Sequence, residues 1–477
     1  WCISRQRAWG VPIAIFVDRR TGEPLRDPAV MARTVAIFEA EGSDAWWTRP
    51  AQDFLGDAYD ARDYEQVRDI VDVWFESGAT HAFVLEGNPD LKWPADLYLE
   101  GSDQHRGWFH SSLLEACGTR GRAPYDAILT HGFVVDEQGR KMSKSLGNTV
   151  SPQEVIAEYG ADILRLWVMA SDYTEDLRIG PEILKQQAEL YRRIRNTLRW
   201  LLGALDGFDE AERVPFDGMP ELERWVLHRL AELDTRVREA TDRFEWTGVF
   251  ADLHGFCTTD LSAFYFDIRK DALYCDRADS PRRRACRTVL DHVFRCLVTW
   301  LAPVLVFTAE EAWLARFPGE EESVHLQTFP AIPPGWRDEV LAARWQRIRE
   351  IRRVVTGALE RERAEGRIGA SLQAAPTLIL PDPDRSLLDP AGWAEICITS
   401  GMTIAPSAHQ RLEGAENRFS VEGIPGVFVL PGRAAGLKCD RCWRVLPEVG
   451  THADHPGLCD RCHDAVTSGV LARRRAA

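Results

Sequence analysis

Residues 139–148 read GRKMSKSLGN, and this stretch limits the possible folds more than any other. Two ammonium groups, Lys141 and Lys144, and the hydroxyls of Ser143 and Ser145 lie between Gly139 and Gly147. Unpaired ammonium groups are too costly to bury, so the segment is an exposed loop. The run before it, 127–135, is β-rich. The run after it opens Ser151-Pro152-Gln153-Glu154, a capping box with Pro at the first helical position, which predicts a helix starting near Ser151. A Gly-flanked loop carrying cations and hydroxyls suits a polyanion that is held and then released. Such groups stabilise the charge that develops in phosphoryl and nucleotidyl transfer.

The upstream pattern supplies a frame for the loop. Residues 96–100 read as a short strand ending at Gly101. Residues 103–117 read as a helix with Trp108, Leu113 and Leu114 among its buried positions, and 127–135 read as a second strand. Strand, helix, strand and loop predict the second half of a doubly wound nucleotide fold, with ligand residues at the carboxyl ends of its strands. The string EGSDQ (100–104) fits such a place. Gly101 lets a backbone approach a ligand, while Glu100, Asp103 and Gln104 offer partners for hydroxyls or an amine; Asp103 equally suits a helix N-cap. From 181 to about 317 the periodicity is helical. Ile183, Leu184, Leu190, Ile194, Leu198, Leu201 and Leu202 form one stripe, and further helices are expected over 221–241, 246–273 and 284–317. Another is expected over 341–365, dense in Arg and Glu. Short β runs follow at 377–380 and 427–430.

The 477 residues leave room for three or more domains. The net charge of −15 excludes a global field drawing the chain to nucleic acid, so RNA contact must rest on local basic patches. No apolar run is long enough to span a bilayer. Seven of the eleven cysteines are scattered singly. The other four form Cys439-Asp440-Arg441-Cys442 and Cys459-Asp460-Arg461-Cys462, two CxxC units sixteen residues apart. That spacing predicts one structural Zn²⁺ held by four thiolates, in a reducing compartment. His452, His455 and His463 lie nearby, but the symmetric cysteine pattern makes them unnecessary as ligands to that ion.

The loop resembles the KMSKS signature of class I aminoacyl-tRNA synthetases. WCISRQRAWGVPIAIF (1–16), DVWFESGATHAF (72–83), LEGSDQHRGWFHSSLLEA (99–116), GADILRLWVMASDYT (160–174), YRRIRNTLRWLL (191–202), LYCDRADSPRRRACRT (273–288) and the terminal cysteines extend the likeness. In that order they resemble the bacterial isoleucyl branch of the family. The chain begins at Trp1 and contains neither the family's HxGH signature nor its editing insertion, so it reads as the C-terminal part of a longer enzyme.

The resemblance implies an α/β plus α multidomain chain. Its expected parts are 1–150, the C-terminal half of the catalytic domain with its loop; 151–180, a connection; 181–340, a helical anticodon-binding bundle; 341–430, an α+β region; and 431–477, the zinc tail. It implies ATP-dependent activation of isoleucine, with Mg²⁺ accompanying ATP as substrate, and transfer to tRNA(Ile). Lys144 is then the main catalytic contact to departing pyrophosphate and the ATP-binding residue, and Lys141 adds charge. Glu100, Gly101, Asp103 and Gln104 hold the adenylate, while Trp74 and Trp108 flank the isoleucine side chain. Phe75, Phe83 and Phe109 are left as core. The family has Asp where this chain has Glu76, which receives no role; His105 and His131 also stay outside the site. The enzyme is expected to be cytoplasmic and monomeric when intact, and this part alone to be inactive or weakly active. The alternatives are a tRNA-binding fragment without chemistry, or a valyl-type enzyme. Arg192, Arg193, Arg195 and Arg199, and separately Arg282, Arg283, Arg284 and Arg287, are expected to meet RNA, as are Arg441, Arg444 and Arg461 of the tail. Arg349, Arg352 and Arg353 are expected to form a solvated helix face.

Overall fold

The computed structural model describes residues 1–406 and 417–469; 407–416 and 470–477, which fall in the expected α+β region and tail, lie outside them. The chain divides into two compact units, one built from Trp1–Val135 and Tyr173–Leu177, the other from Asp136–Asp172 and the chain from Arg178 onward.

In the first unit, strands Ala95–Gly101 and Tyr125–His131 run parallel, with Leu97 opposite Ala127 and Gly101 opposite His131. Helix Trp108–Arg120 joins them, as a parallel pair requires. The expected helix over 103–117 is broken: Ser102–Arg106 is a 3₁₀ turn and the α-helix starts only after Gly107. Its buried face is Phe109, Ser111, Ser112 and Ala116, whereas Leu114 is exposed, contrary to expectation. Phe83, expected in the core, is 65% exposed.

Glu115 on this helix lies against Gly78 of helix Val73–Gly78. A Cβ there would meet its Oε1 at 2.5 Å, so a side chain at 78 would displace the Glu115 carboxylate from between the two helices. A separate small core gathers Phe16, Val30, Trp46, Phe54 and Leu55 around helix Pro28–Glu41, which Asp27 caps by accepting from Ala29 N at 2.7 Å.

The second unit is mostly helical. Pro181–Ala204, Glu221–Arg243, Pro281–Leu301 and Val306–Arg316 form a bundle, and one apolar cluster runs from Leu166 through it to Val429. The expected helix over 284–317 is two helices, because Pro303 has no N–H to continue the ladder. A distant segment repairs the break. On helix Ala161–Ala170, the Arg165 guanidinium donates to Pro303 O (2.7 Å) and Val304 O (3.1 Å). Buried Asp162 accepts from Thr308 N at 2.8 Å and Phe307 N at 3.2 Å, satisfying the new helix start. The stretch expected as one helix over 246–273 is continuous but has a π-helical middle, Phe256–Phe266. Helix Glu339–Ala364 leads to a three-stranded sheet, with Thr377–Leu380 between parallel Thr403–Pro406 and antiparallel Phe428–Leu430. The expected capping box at Ser151 is not made: helix Pro152–Tyr159 starts there, but the Ser151 hydroxyl turns to Gln153 Oε1 instead.

A network of charges crosses this unit. Fully buried Glu223 receives Arg269 Nε at 2.6 Å and Nη2 at 2.7 Å, plus the Tyr265 hydroxyl at 3.1 Å. Arg269 Nη1 also reaches Glu395 (2.6 Å), which receives Arg282 (2.7 Å). Arg282 forks onto Asp276 at 2.9 and 3.0 Å, and Asp276 receives Arg461 at 3.2 Å.

Two predictions follow from this packing. Glu223→Ala strands the Arg269 guanidinium with one carboxylate and is expected to cost about 3–5 kcal/mol, read as a lower urea midpoint for the helical unit. Glu115 Oε1 is buried without a partner, and burial pushes the carboxyl up to about 7. Between the unfolded value near 4.5 and 7, the folded state binds more protons, so stability falls as pH rises through that window. Glu115→Gln is therefore expected to raise the first unit's melting temperature at pH 8 and leave it unchanged at pH 4. Parallel melting curves at the two values check this.

Candidate functional site

The KMSKS-like loop is braced from below by one carboxylate. Asp136, 5% exposed, ends strand Val134–Asp136. Its Oδ1 accepts from Gln138 N (3.0 Å) and Arg140 N (2.8 Å), and its Oδ2 from Arg140 Nε (2.8 Å) and Asn148 Nδ2 (2.9 Å). The Asn148 amide and then the Arg140 N–H hold its carboxyl down at about 2. Asn148 closes the loop from the far side, accepting from Ser143 N at 2.9 Å and donating to Lys141 O at 3.2 Å. Ser143 caps the short turn Lys144–Leu146, and Gly147 ends it at φ 64°, where a side chain is strained. The polar groups beneath the loop are thus satisfied internally. Lys141 and Lys144 are left exposed, with no ion pair among the described residues. Asp136 was not singled out from the sequence; the turn Asp-x-x-Gly ahead of the lysines and the Asn closing the motif were the available signals.

In the first unit, the residues expected at the adenylate lie at the carboxyl end of strand Ala95–Gly101 and in the turn after it. Glu100 is exposed, with Oε2 only 3.3 Å from the N–H of Gly101. A Cβ on Gly101 would lie 2.7 Å from Asp103 Oδ1, so the glycine makes room for that carboxylate. Gln104 Oε1 accepts from Trp108 N at 3.0 Å, satisfying a free N–H at the helix start. Asp103 therefore does not cap this helix.

Gly107 is a second point of close approach: a Cβ there would meet Gln104 Oε1 at 2.6 Å and the Trp74 ring at 3.0 Å. Trp74, Gln104 and Trp108 are consequently neighbours. Trp108 is fixed by its Nε1–H to Ser77 O (2.9 Å) and by stacking on Tyr98 (4.2 Å, 7°), while Trp74 is 39% exposed. Tyr98 and His131, which faces Gly101, were not assigned to the site from the sequence. Glu76, given no role, accepts from Val11 N at 3.1 Å.

The four terminal cysteines converge. Cys439, Cys442, Cys459 and Cys462 are buried with sulfurs all within 4.8 Å of one another, and Cys439 Sγ receives the Cys459 N–H at 3.4 Å. Burial, and then the neighbouring Cys442 charge, push the Cys459 thiol up to about 11. Four thiolates this close need a divalent cation, and the donor set fits one tetrahedral structural Zn²⁺ with no open position. A fifth buried thiol, Cys275 at the end of helix Asp267–Cys275, packs in the same cluster and lies 3.7 Å from Arg441 O. Its distance in sequence gave no signal.

Most arginines expected to meet RNA are already engaged. Arg283 and Arg287 are buried; Arg283 donates to Leu273 O (3.2 Å), Arg284 to Glu212 O (3.1 Å), and Arg287 pairs with Glu212 (3.0 Å). With Arg282 held by Asp276 and Glu395, this cluster is structural. In the tail, Arg441 binds Tyr274 O (2.9 Å), Arg444 Ser400 O (2.8 Å) and Arg461 Asp271 (2.8 Å). Arg349 pairs with Asp260 (2.7 Å) and covers Phe264, and Arg352 binds Ile396 O (2.8 Å), so that helix face is packed rather than solvated; Arg353 is exposed. On helix Pro181–Ala204, Arg192 pairs with Glu189 and Arg195 with Glu311 (3.6 Å), while Arg193 and Arg199 are exposed without ion pairs among the described residues.

Comparison with known proteins agrees with these features. Residues 1–180 match the family of tRNA synthetases class I (I, L, M and V), 223–379 the anticodon-binding domain of tRNA ligases, and 436–465 the zinc finger found in FPG and IleRS. The chain is 58% identical to an isoleucine–tRNA ligase of Gluconobacter oxydans over 98% of its own length and 47% of the relative's. The corresponding ligases of Brucella abortus and Caulobacter vibrioides are 55% and 54% identical, over 97% and 98% of this chain and 47% of each relative. The chain thus spans about half the length of these relatives. A LeuRS–tRNA–LeuAMS complex from Agrobacterium radiobacter K84 shares the fold over 71% of this chain and 43% of its own, with TM-score 0.53 and 20% identity. No helix among the described residues is long and apolar enough to cross a membrane.

Removing the metal gives a direct test. A strong chelator is expected to strip the thiolate-bound Zn²⁺ and abolish hydrogen-exchange protection across 437–467, while amides around Leu297 in the bundle stay protected. A metal-free chain whose tail kept its protection would contradict the assignment.

Proposed function

The chain belongs to the class I tRNA synthetases, with isoleucine–tRNA ligases as its relatives, and from that premise we propose that it is the adenylate-binding and KMSKS-bearing part of an isoleucine–tRNA ligase. Its reaction is attack by the isoleucine carboxylate on the α-phosphorus of ATP, releasing pyrophosphate, followed by transfer of the isoleucyl group to tRNA(Ile). Mg²⁺ enters with ATP as part of the substrate. Residues 1–150 carry the catalytic part, 151–180 the connection, 181–340 the anticodon-binding bundle, 341–430 an α+β region and 431–477 the zinc tail. The intact enzyme, with its N-terminal half, acts as a cytoplasmic monomer.

One observation carries this reading: Lys141 and Lys144 stand exposed and, among the described residues, without an ion pair on a loop whose brace, Asp136 with Arg140 and Asn148, is satisfied internally. Cations held on a braced loop and free of carboxylate neighbours can meet an incoming polyanion without first breaking an ion pair. In the proposed role Lys144 takes the main share of the charge on outgoing pyrophosphate and Lys141 adds to the field. Glu100, Asp103 and Gln104 pair the ribose and the α-ammonium, over the approach that Gly101 leaves open. Trp74 and Trp108 line the aliphatic side chain; the immobilised Trp108 ring supports this, because a fixed wall discriminates shape better than a mobile one. Arg193 and Arg199 are the basic groups best placed for tRNA phosphates.

The experiment is isoleucine-dependent pyrophosphate exchange with the N-terminal half present. Lys144→Ala is expected to lower the activation rate by about 10²–10³, the usual cost of one preorganised charge contact. An unchanged rate, or exchange driven equally by valine, would overturn the reading.

A further inference from the structure

A second cluster of metal-binding side chains lies beside the four cysteines and is distinct from them. Asp454 and His455 come from the segment between the CxxC units, and His463 from helix Asp460–Thr467. One ligand atom from each lies within 4.8 Å of the others. His463 Nε2 is 3.1 and 3.2 Å from the two Asp454 oxygens, and His455 Nδ1 is 3.4 Å from Asp454 Oδ2. Tetrahedral coordination at 2.0–2.1 Å separates neighbouring ligand atoms by roughly 3.3 Å, so these spacings already match a first-row divalent cation.

Three further observations favour a cation over a plain ion-pair cluster. His455 Nδ1 is buried and makes no hydrogen bond, so its close approach to Asp454 is not explained by one. The His463 ring is held face to face with His452 at 3.9 Å and 2°, and His452 is anchored by Asp460 at 2.8 Å. That stack orients His463 without consuming its Nε2. Finally, Asp454 is exposed and the two histidines are only half-buried, so an ion has an entry path from the Asp454 side.

The group His228, Glu232 and Glu339 offers no such site. There His228 Nδ1 accepts from Asp338 N at 2.9 Å, which places the ring proton on Nε2, facing Glu232. A neutral imidazole in that tautomer has no free lone pair for a metal.

We propose that Asp454, His455 and His463 form a second, exchangeable site for a d-block divalent cation such as Zn²⁺, Co²⁺ or Ni²⁺. Two imidazoles and a carboxylate suit such ions, and only three protein ligands leave positions for water. The site is weaker than the four-thiolate site, because it offers three protein ligands rather than four and is partly open to solvent.

The test uses the untagged full chain, dialysed to equilibrium with Co²⁺ at pH 7.5 and followed by elemental analysis and absorption. Two equivalents are expected: one with intense thiolate-to-cobalt charge transfer, the other with only weak ligand-field bands and readily removed by a mild chelator. His455→Ala and Asp454→Asn are each expected to reduce binding from two equivalents to one, leaving the thiolate spectrum intact as evidence that the tail is folded. His463→Ala adjoins Cys462, so it is read only beside those two. Saturation of the parent chain at one equivalent, or a second equivalent persisting in both His455→Ala and Asp454→Asn, would overturn the proposal.

Discussion

The bidentate pair between Arg269 and Glu223 is the interaction on which the larger unit turns. Both groups are almost wholly inside the protein, and such a pair survives only where every donor and acceptor is satisfied. The remaining guanidinium nitrogen goes to Glu395, and from there the charges continue through Arg282 and Asp276 to Arg461. Bundle helices, the helix Pro390–Cys397 and the zinc tail therefore share one chain of ion pairs. Its specificity is geometric: an apolar core tolerates sliding, whereas forked arginine contacts accept one register.

Most arginines of the basic clusters are engaged in the same way, inside that network or beside it. Arginines at 282, 283, 284, 287, 441, 444 and 461 are held by carboxylates or by backbone carbonyls. The chain is acidic overall, so a lysine or arginine without a carboxylate neighbour is the informative case. Lys141, Lys144, Arg193 and Arg199 are such cases, and two of them stand on a loop tied down by Asp136 and Asn148. The brace fixes the backbone while leaving the ammonium groups exposed. That combination suits a loop that meets charge only transiently.

Much of the architecture was legible because its signals are local. The apolar stripe from Leu184 to Leu201 predicted a helix that the structure makes as Pro181–Ala204, and Thr377–Leu380 is a strand as read. The cysteine spacing brought four sulfurs together as expected. Errors gathered where a remote partner or a single residue overrode the local pattern. The helix expected from 103 onward yields at Gly107, where Trp74 and Gln104 leave no room for a Cβ. The capping box at Ser151 gave way to a contact with Gln153. Leu114 and Phe83 are apolar yet exposed, since periodicity cannot tell which face of an element is covered.

The sequence by itself determined the lysine-bearing loop, the four-thiolate knuckle and the helical character of residues 181–317. Each rests on short-range chemistry: a turn around glycine, a fixed ligand spacing, a 3.6-residue period. Only the tertiary structure decided which arginines are free and which are buried in ion pairs. It alone showed that Asp162 and Arg165 mend the break at Pro303 from about 140 positions away. It also brought His463 beside Asp454 and Cys275 beside the zinc ligands. Charge pairing and ligand convergence depend on distances in space, and a linear pattern does not encode those until the chain has closed its long loops.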